Sequence, residues 1–258
     1  MIDWQQLFLF ELILMRMSGF VLFNPLLGRN NLPGAVKTGL ILVLTVSVFG
    51  LEPIQAPEVP ATLIAFALAM LKELGVGLVL GFVMRLFFMV VQVGGEIIDT
   101  QMGITMAQIY DAGSQANMTV SASLLNILLV LNFFGENGHY TLMRLLETSG
   151  ELLPYGTAVF GQAAASNAAE LFFTCMILAV KLALPILAAE VLGEIGMGIL
   201  MKAIPQINAF VINMELKVII GLVLLFVFLT PFNEFLLQAE TQMLAEMQQA
   251  VRLLGAGG

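Results

Sequence analysis

The side chains best spaced for chemistry form a polar stripe near the end of a long apolar segment. Gln92, Glu96 and Asp99 stand at positions i, i+4 and i+7, so they share one face of a helix. Two carboxylates on one face of an apolar helix can relay protons in a transporter. They can equally hydrogen-bond neighbouring helices around a water-filled path, or mark a polar helix end that leaves the apolar layer. The spacing leaves these three interpretations open.

No catalytic or metal-binding motif accompanies this stripe. The sequence contains no H-E-x-x-H pair, no Walker loop and no G-x-S-x-G turn. Its single cysteine, Cys175, and its single histidine, His139, have no neighbouring ligands of their own kind. The G-x-G-x-x-x-G spacing in "GVGLVLG" lacks the strand and the α/β context of a dinucleotide site. We therefore expect a protein that is not an enzyme and that holds no cofactor and no metal.

The composition indicates a membrane or a large assembly as the environment of the chain. Of 258 residues, 59% are hydrophobic and 11% are charged, and the mean hydropathy is +0.97. Soluble domains are about a quarter charged, and a soluble globule cannot bury this much apolar surface. The net charge of −8 argues against binding to nucleic acid or to anionic lipid headgroups. Asp3 and Glu11 stand where a cleavable signal would be basic, so we expect no signal peptide.

Seven apolar segments without strand-like alternation predict an all-α, membrane-associated fold. They cover residues 5–23, 35–51, 61–93, 120–134, 140–153, 168–200 and 218–232. Beyond them, apolar residues recur near helical spacing among glutamates and glutamines, which predicts an amphipathic helix. We therefore divide the chain into a helical domain over residues 1–232 and an amphipathic C-terminal tail over residues 233–258.

Two of these segments are too long for a simple membrane span. A straight helix over residues 61–93 is about 50 Å long, whereas the apolar core of a bilayer is about 30 Å thick. Either such helices extend well beyond a bilayer, or they break where glycine or proline interrupts them, at Gly75 and Gly77 and at Pro185. The charged residues in the two segments are Lys72, Glu73, Arg85, Lys181, Glu190 and Glu194.

These charges predict that much of the chain packs against protein instead of lipid. A charge at the centre of a bilayer costs about 2.5 to 3.5 kcal/mol on insertion scales. Glu11 and Arg16 lie five residues apart and are poor partners for each other, while Glu190 and Glu194 lie four apart and repel. Each of these groups needs a partner on another helix, on another chain or in water. The Gly77–Gly81 pair is typical of close helix packing.

The polar stripe leads into a segment that predicts a flexible loop between two helices. Gly94 and Gly95 allow either a close approach or a break before it, and methionines are scattered along the loop as far as position 118. Methionine is unbranched and adaptable, and it suits a surface that seals and then repacks. Such a loop can act as a removable stopper in a conduit, although an ordinary interhelical connection explains the same residues.

The order of these motifs resembles the FliR family of the flagellar and type III secretion export gate. The similarity begins with "LMRMSGFVLFNPLLGRNNLPGAVKTGL", continues through "KELGVGLVLGF" and "GGEIIDTQMGITMA", and ends with "IPQINAFVINMELKVIIGL". It departs from the family at Lys202, where an arginine is usual, and at Asp111-Ala112, where Asp-Pro is common. The residues that we assign to subunit packing or to the family motif are Arg16, Pro25, Pro33, Lys37, Lys72, Glu73, Gly77, Gly81, Glu190, Glu194, Pro205, Gln206, Asn208 and Lys217.

The resemblance implies a component of the flagellar protein export gate that helps form and close the channel for unfolded flagellar proteins. It implies broken helical hairpins that join FliP-like and FliQ-like subunits as a single copy, with an FlhB-like subunit as a further partner. It implies a place in the bacterial inner membrane at the flagellar basal body. It assigns a channel plug to Gln101, Met102, Gly103, Ile104, Thr105, Met106, Asp111, Gly113, Asn117 and Met118.

A self-contained, proton-coupled secondary transporter is the alternative function. It would use the intramembrane carboxylates Glu96, Asp99, Glu190 and Glu194. A membrane enzyme is less favoured, because the sequence offers no set of nucleophile, base and metal. The overall resemblance favours use in a flagellum over use in an injectisome.

Overall fold

The computed structural model of the protein describes residues 3–29, 31–51, 56–104, 109–111, 116–203 and 209–255. These residues form eight helices and one small antiparallel hairpin. The all-α prediction is therefore confirmed, and the hairpin is an addition to it. The elements are α1 (Trp4–Phe23), α2 (Gly34–Leu51), α3 (Leu63–Met102), β1 (Ile109–Asp111), β2 (Ala116–Met118), α4 (Val120–Gly135), α5 (Gly138–Leu152), α6 (Gln162–Ala203), α7 (Ala209–Val227) and α8 (Leu229–Gly255).

The two long helices run without a break. α3 has 40 residues and α6 has 42, so the alternative of breaks at Gly75, Gly77 and Pro185 was wrong. Pro185 lies inside α6. The two glycines serve packing instead: a Cβ atom at Gly75 would lie 2.7 Å from the ring of Phe160, and one at Gly77 would meet the backbone of α1. At 1.5 Å per residue, each helix is about 60 Å long, twice the thickness of a bilayer core.

The first and third helices pack backbone to backbone through glycines. A Cβ atom at Gly19 would meet the carbonyl oxygen of Leu74, and one at Gly77 would meet the carbonyl oxygen of Arg16. At Gly81 the nearest atoms, in Phe23, would be 3.0 Å away. The close packing predicted for the Gly77–Gly81 pair is therefore confirmed, with α1 as its partner.

Three helices in the described part of the chain are long and apolar enough to cross a membrane. They are α1, α3 and residues 162–200 of α6. Two bent pairs qualify as well if each pair is counted as one span: α4 with α5, bent by 67°, and α7 with α8, bent by 60°. These bent pairs agree with the broken hairpins that the resemblance implied. The protein is thus an all-α membrane protein.

α3 is the central helix and α6 lies at the periphery. Of the 18-residue apolar stretch that could cross a membrane, 61% of the residues are buried within the chain in α3 and 33% in α6. α3 contacts α1, α4, α6 and α8 along its length. The amphipathic helix predicted for the tail is α8, and its apolar residues Phe232, Leu236, Met243 and Val251 are buried against the other helices.

Candidate functional site

Asp99 of the polar stripe caps a neighbouring helix. Its side chain is fully buried, and its carboxylate accepts two hydrogen bonds from Ser121, one from the backbone N–H at 2.7 Å and one from the hydroxyl. Thr119, the N-cap residue of α4, makes no capping bond of its own. Because free N–H groups and the helix dipole favour an anion at a helix N-terminus, Asp99 supplies from α3 the cap that α4 lacks.

The rest of the polar stripe is separate from Asp99. Gln92 donates a hydrogen bond of 3.4 Å to Glu96, and both side chains are half-buried. Asp99 instead points to α4, through its bonds to Ser121. Of the three interpretations left open, hydrogen bonding to a neighbouring helix therefore fits Asp99, and the three residues do not form one continuous relay.

Gly94 and Gly95 let two helices approach α3 from different sides. A Cβ atom at Gly94 would lie 2.9 Å from Leu182 of α6. One at Gly95 would lie 2.7 Å from the Cβ of Ala122 of α4 and still closer to its backbone. Of the two predicted possibilities, a close approach or a break, the structure shows the close approach.

α3 ends in a turn that directs the chain into the loop. Gly103 has a φ of 78°, in the left-handed region that favours glycine. The N–H of Ile104 donates to the carbonyl of Asp99 at 2.9 Å, which is the bond that typically closes a helix with such a glycine. Asp99 thus accepts hydrogen bonds at both ends of the loop. Its backbone carbonyl accepts from Ile104 at the entrance, and its carboxylate accepts from Ser121 at the exit.

Met102, the last residue of α3, lies against α6 and α7. Its side chain is 1% exposed, and its sulfur lies 2.5 Å from the point that a Cβ atom at Gly221 would occupy. The Oε1 atom of Glu190 lies 3.0 Å from the same point. Glu190 is 1% exposed, and this oxygen has no hydrogen-bond partner among the described residues. The root of the loop is therefore held between α6 and α7.

Glu194, one turn further along α6, forms an ion pair with Lys217 of α7. Both side chains are partly exposed. Lys217 offsets the predicted repulsion between Glu190 and Glu194, because it places a cation beside Glu194.

The other residues assigned to the plug fall into three groups. Gln101 and Ile104 are half-buried at the end of α3, and Met118 is buried at the end of β2. Asp111 and Asn117 belong to the β1–β2 hairpin, in which Asp111 pairs with Ala116 and Asn117 with Tyr110. The residues assigned to the plug or to the family motif that lie outside the described residues are Thr105, Met106, Gly113, Pro205, Gln206 and Asn208.

Arg16 forms a second buried polar centre. The side chain is 0% exposed, and its Nε atom donates to Glu73 of α3 at 2.6 Å. Its other nitrogens donate to the Ser149 hydroxyl at 3.2 Å and to the Leu153 carbonyl at 3.1 Å. The guanidinium lies 4.1 Å from the centre of the Tyr155 ring. The partner that the sequence required for Arg16 is therefore Glu73, and the site joins α1, α3 and the end of α5.

Two further contacts complete this centre. The second oxygen of Glu73 accepts a hydrogen bond of 2.8 Å from the N–H of Gly156, in the segment between α5 and α6. Burial raises the pKa of Tyr155, so its phenol stays neutral beside the ion pair. Both carboxylate oxygens of Glu73 and three N–H groups of Arg16 thus have hydrogen-bond partners. A buried ion pair is stable only when its remaining polar atoms are satisfied in this way.

The remaining residues assigned to subunit packing lie in the α1–α2 connection or on the surface of α3. Lys37 donates a hydrogen bond of 2.9 Å to the carbonyl of Gly28 and closes the α1–α2 connection. Pro25 is half-buried in that connection, and Pro33 is exposed just before α2. Lys72 is exposed next to the buried Glu73.

Sequence reasoning missed most of the residues that complete these sites. Ser121, Ser149 and Tyr155 were not selected, because their types are common and their spacing is unremarkable, and Gly221 was noted only within the family motif and not as a contact of Met102. Only Ser121 carried a signal, since a serine at the start of a predicted helix is typical of a capping position.

Known proteins resemble the chain over nearly its whole length. Residues 7–243 match the family described as "Bacterial export proteins, family 1". A flagellar biosynthetic protein FliR from Escherichia coli (strain K12) is 30% identical, covering 98% of this chain and 97% of that protein. A FliR protein from Bacillus subtilis (strain 168) is 28% identical, with 90% and 92% covered. The Yop proteins translocation protein T of Yersinia pestis is 28% identical over 85% of each chain. The chain therefore belongs to family 1 of the bacterial export proteins, the FliR family.

Proposed function

We propose that this chain is a component of a flagellar protein export gate and that it helps form and close the export channel. The observation that carries the proposal is the loop between α3 and α4, which leaves a membrane helix and is tied at both ends. Met102 and Gly103 hold its entrance, and the bonds between Asp99 and Ser121 hold its exit. The similarity to flagellar biosynthetic proteins over 98% of the chain supports a flagellar role.

The channel requires other subunits, and the outer face of α6 indicates that they are proteins. Large apolar side chains on this face are exposed, and Lys181 is exposed among them. A bare lysine is unfavourable in lipid, so a protein helix that carries an acidic or polar group suits this face better. We assign the face to FliP-like and FliQ-like subunits, with an FlhB-like subunit as a further partner. The apolar residues are Phe173, Ile177, Leu184, Leu192 and Ile199.

The proposal includes a location, a division of the chain and a mode of action. We place the protein in the bacterial inner membrane at the flagellar basal body, as a single copy in each gate. Residues 1–232 act as the gate domain, and residues 233–258 act as a tail that braces it. The chain acts as a passage for unfolded proteins and not as an enzyme, and it uses no cofactor.

The transporter alternative is not favoured, because two of its four carboxylates are already engaged with a neighbouring helix. Asp99 caps α4 through Ser121, and Glu194 is paired with Lys217. A relay through Glu96, Asp99, Glu190 and Glu194 would require Asp99 and Glu194 to leave these contacts.

Removal of the loop tests the closing role. Deletion of residues 106–117 from the chain in an assembled gate should let small ions cross the membrane, because the loop no longer fills the channel. The measurement is ion flux in cells or in liposomes that carry the complex.

A matched control separates loss of the plug from damage to a connection. Replacement of residues 57–60, in the linker between α2 and α3, by glycine and serine should leave the ion barrier intact. An equally intact barrier in the 106–117 deletion would remove the plug assignment.

A further inference from the structure

Arg85 is a single charge in a stretch of α3 that is otherwise apolar. Residues 74–91 contain no other charged or polar side chain. Arg85 is exposed on the surface of the chain. Both ion pairs among the described side chains involve other residues, so no described carboxylate lies within ion-pair distance of Arg85. The partner that the sequence required for this charge is therefore not found in the described part of the chain.

Arg85 belongs to one narrow face of α3. The members of this Arg85 face are the exposed Leu78, Phe82 and Arg85 and the half-buried Met89, Gln92 and Glu96. Their spacing alternates between four and three residues, which is the spacing with which one helix packs along another. Neighbours border the face on both sides. A Cβ atom at Gly81 would lie 3.0 Å from Phe23 of α1, and one at Gly75 would lie 2.7 Å from the Phe160 ring.

We infer that the Arg85 face is a docking surface for a membrane helix of another gate subunit, and that this helix carries an aspartate or a glutamate opposite Arg85. The inference rests on the proposed function, because the partner is a subunit of the same gate. It adds a contact on α3 to the one assigned to the outer face of α6, and it specifies a chemical group in the partner.

The position of Arg85 along the helix favours protein over lipid as its neighbour. Lipid tails offer no acceptor for the N–H groups of a guanidinium, so a bare arginine is unfavourable among them. At 1.5 Å per residue, the nearest polar residues of α3 along the helix axis are Gln92, about 10 Å away, and Glu73, about 18 Å away. The Cα–Cβ bond of a helical residue leans toward the N-terminus, so that of Arg85 leads away from Gln92. The charge is therefore best matched within the apolar layer.

A carboxylate is the group that suits this arginine. The guanidinium presents its N–H donors in a planar fork that matches the two oxygens of a carboxylate. The chain matches its buried Arg16 in the same chemical way, since Glu73 meets it across the contact between α1 and α3 at 2.6 Å. The Arg85 face would repeat this pairing between two subunits.

Arg85→Leu separates a protein neighbour from a lipid neighbour by the sign of its effect. The variant is made in the full chain, co-expressed with the other gate subunits and purified through a tag on this chain. Leucine would leave the partner's carboxylate unpaired in an apolar contact, so we expect a several-fold lower yield of the complex in native mass spectrometry. Against lipid, the same change removes a charge from apolar surroundings, so an unchanged or higher yield would overturn the inference.

Two further variants show that the charge itself is responsible. Arg85→Lys keeps a cation on the face and should retain more of the complex than Arg85→Leu. Arg144→Ala is the matched control, because it removes an exposed arginine from α5, and it should leave the yield unchanged. Equal losses in Arg85→Lys and Arg85→Leu, or an equal loss in the control, would contradict a specific ion pair at Arg85.

A photo-reactive phenylalanine at position 89, one turn from Arg85, identifies the neighbour directly in the purified complex. We expect a cross-link to a partner helix that carries an aspartate or a glutamate within about one turn of the linked residue. Cross-links only to lipid, to detergent or to this chain itself would overturn the Arg85 face. This measurement also carries the test if Arg85→Leu prevents the chain from accumulating.

The two proposals fail in different ways. A complex that forms normally but does not depend on Arg85 would overturn the Arg85 face alone. An unmodified chain that forms no complex with the other gate subunits would overturn the proposed function and the inference with it.

Discussion

Arg16 joins three segments of the chain, and its removal should be costly. Arg16→Ala leaves Glu73 as a buried, unpaired carboxylate, and breaking a buried pair in this way costs about 3 to 5 kcal/mol. We expect a clear fall in the thermal denaturation temperature and in the yield of the purified complex. Arg144→Ala is the matched control, since Arg144 is exposed on α5. Equal stability of the two variants would contradict the role given to Arg16.

Asp99 should stabilise the first turn of α4 from outside that helix. Asp99→Ala removes a helix cap, which costs about 0.5 to 2 kcal/mol. We expect faster hydrogen exchange at the backbone amides of residues 121–123. Asp3→Ala removes the exposed cap of α1, where Asp3 accepts a bond of 3.1 Å from Gln5, and should affect only α1. Unchanged exchange at α4 in Asp99→Ala would contradict the capping role.

Contacts of single residues could be predicted from the sequence only between residues within about one or two helical turns of each other. The i, i+4 rule correctly placed Gln92 and Glu96 together, and the lack of a local partner correctly indicated that Arg16 needed a distant one. The identity of that partner could not follow, because Glu73 lies 57 residues away along the chain. Ser121 likewise lies 22 residues from Asp99 along the chain, too far for local spacing to predict the contact.

At the scale of elements, the contact between α1 and α3 should depend on glycine. Gly77→Ala forces a methyl group against the backbone of Arg16, and overpacking of this kind costs about 1 to 3 kcal/mol or more. Gly39→Ala is the control in α2, where a Cβ atom meets nothing within 4 Å in the described chain. We expect a lower recovery of monodisperse protein in gel filtration for Gly77→Ala only. A normal recovery would show that the two helices do not need this close approach.

The existence of the helices was predictable, but their continuity was not. Apolar segments indicated each of the described helices, because a helix must bury its apolar side or face lipid with it. The predicted segment 218–232, however, runs across the 60° bend between α7 and α8, so α8 begins four residues before the predicted tail. Gly75, Gly77 and Pro185 are local break signals, yet both helices continue through them. At the two glycines, packing against Phe160 and the backbone of α1 accompanies the continuous helix. The β1–β2 hairpin was missed because strands of three residues are too short to show alternation.

At the scale of the whole molecule, the composition correctly predicted a membrane protein, and the charges indicated protein partners. The outer face of α6 combines exposed apolar side chains with an exposed Lys181, and this combination is the structural basis for proposing a protein partner there. The arrangement of the subunits does not follow from one chain, because the partners' surfaces determine which faces are covered.

Native mass spectrometry tests the central claim most directly. The chain is co-expressed with FliP-like and FliQ-like subunits of the same organism and purified through a tag on this chain. A stable complex with one copy of this chain is the predicted result, since we propose that the exposed face of α6 packs against protein partners. A monomer or a homodimer that leaves those subunits behind would contradict the export-gate account.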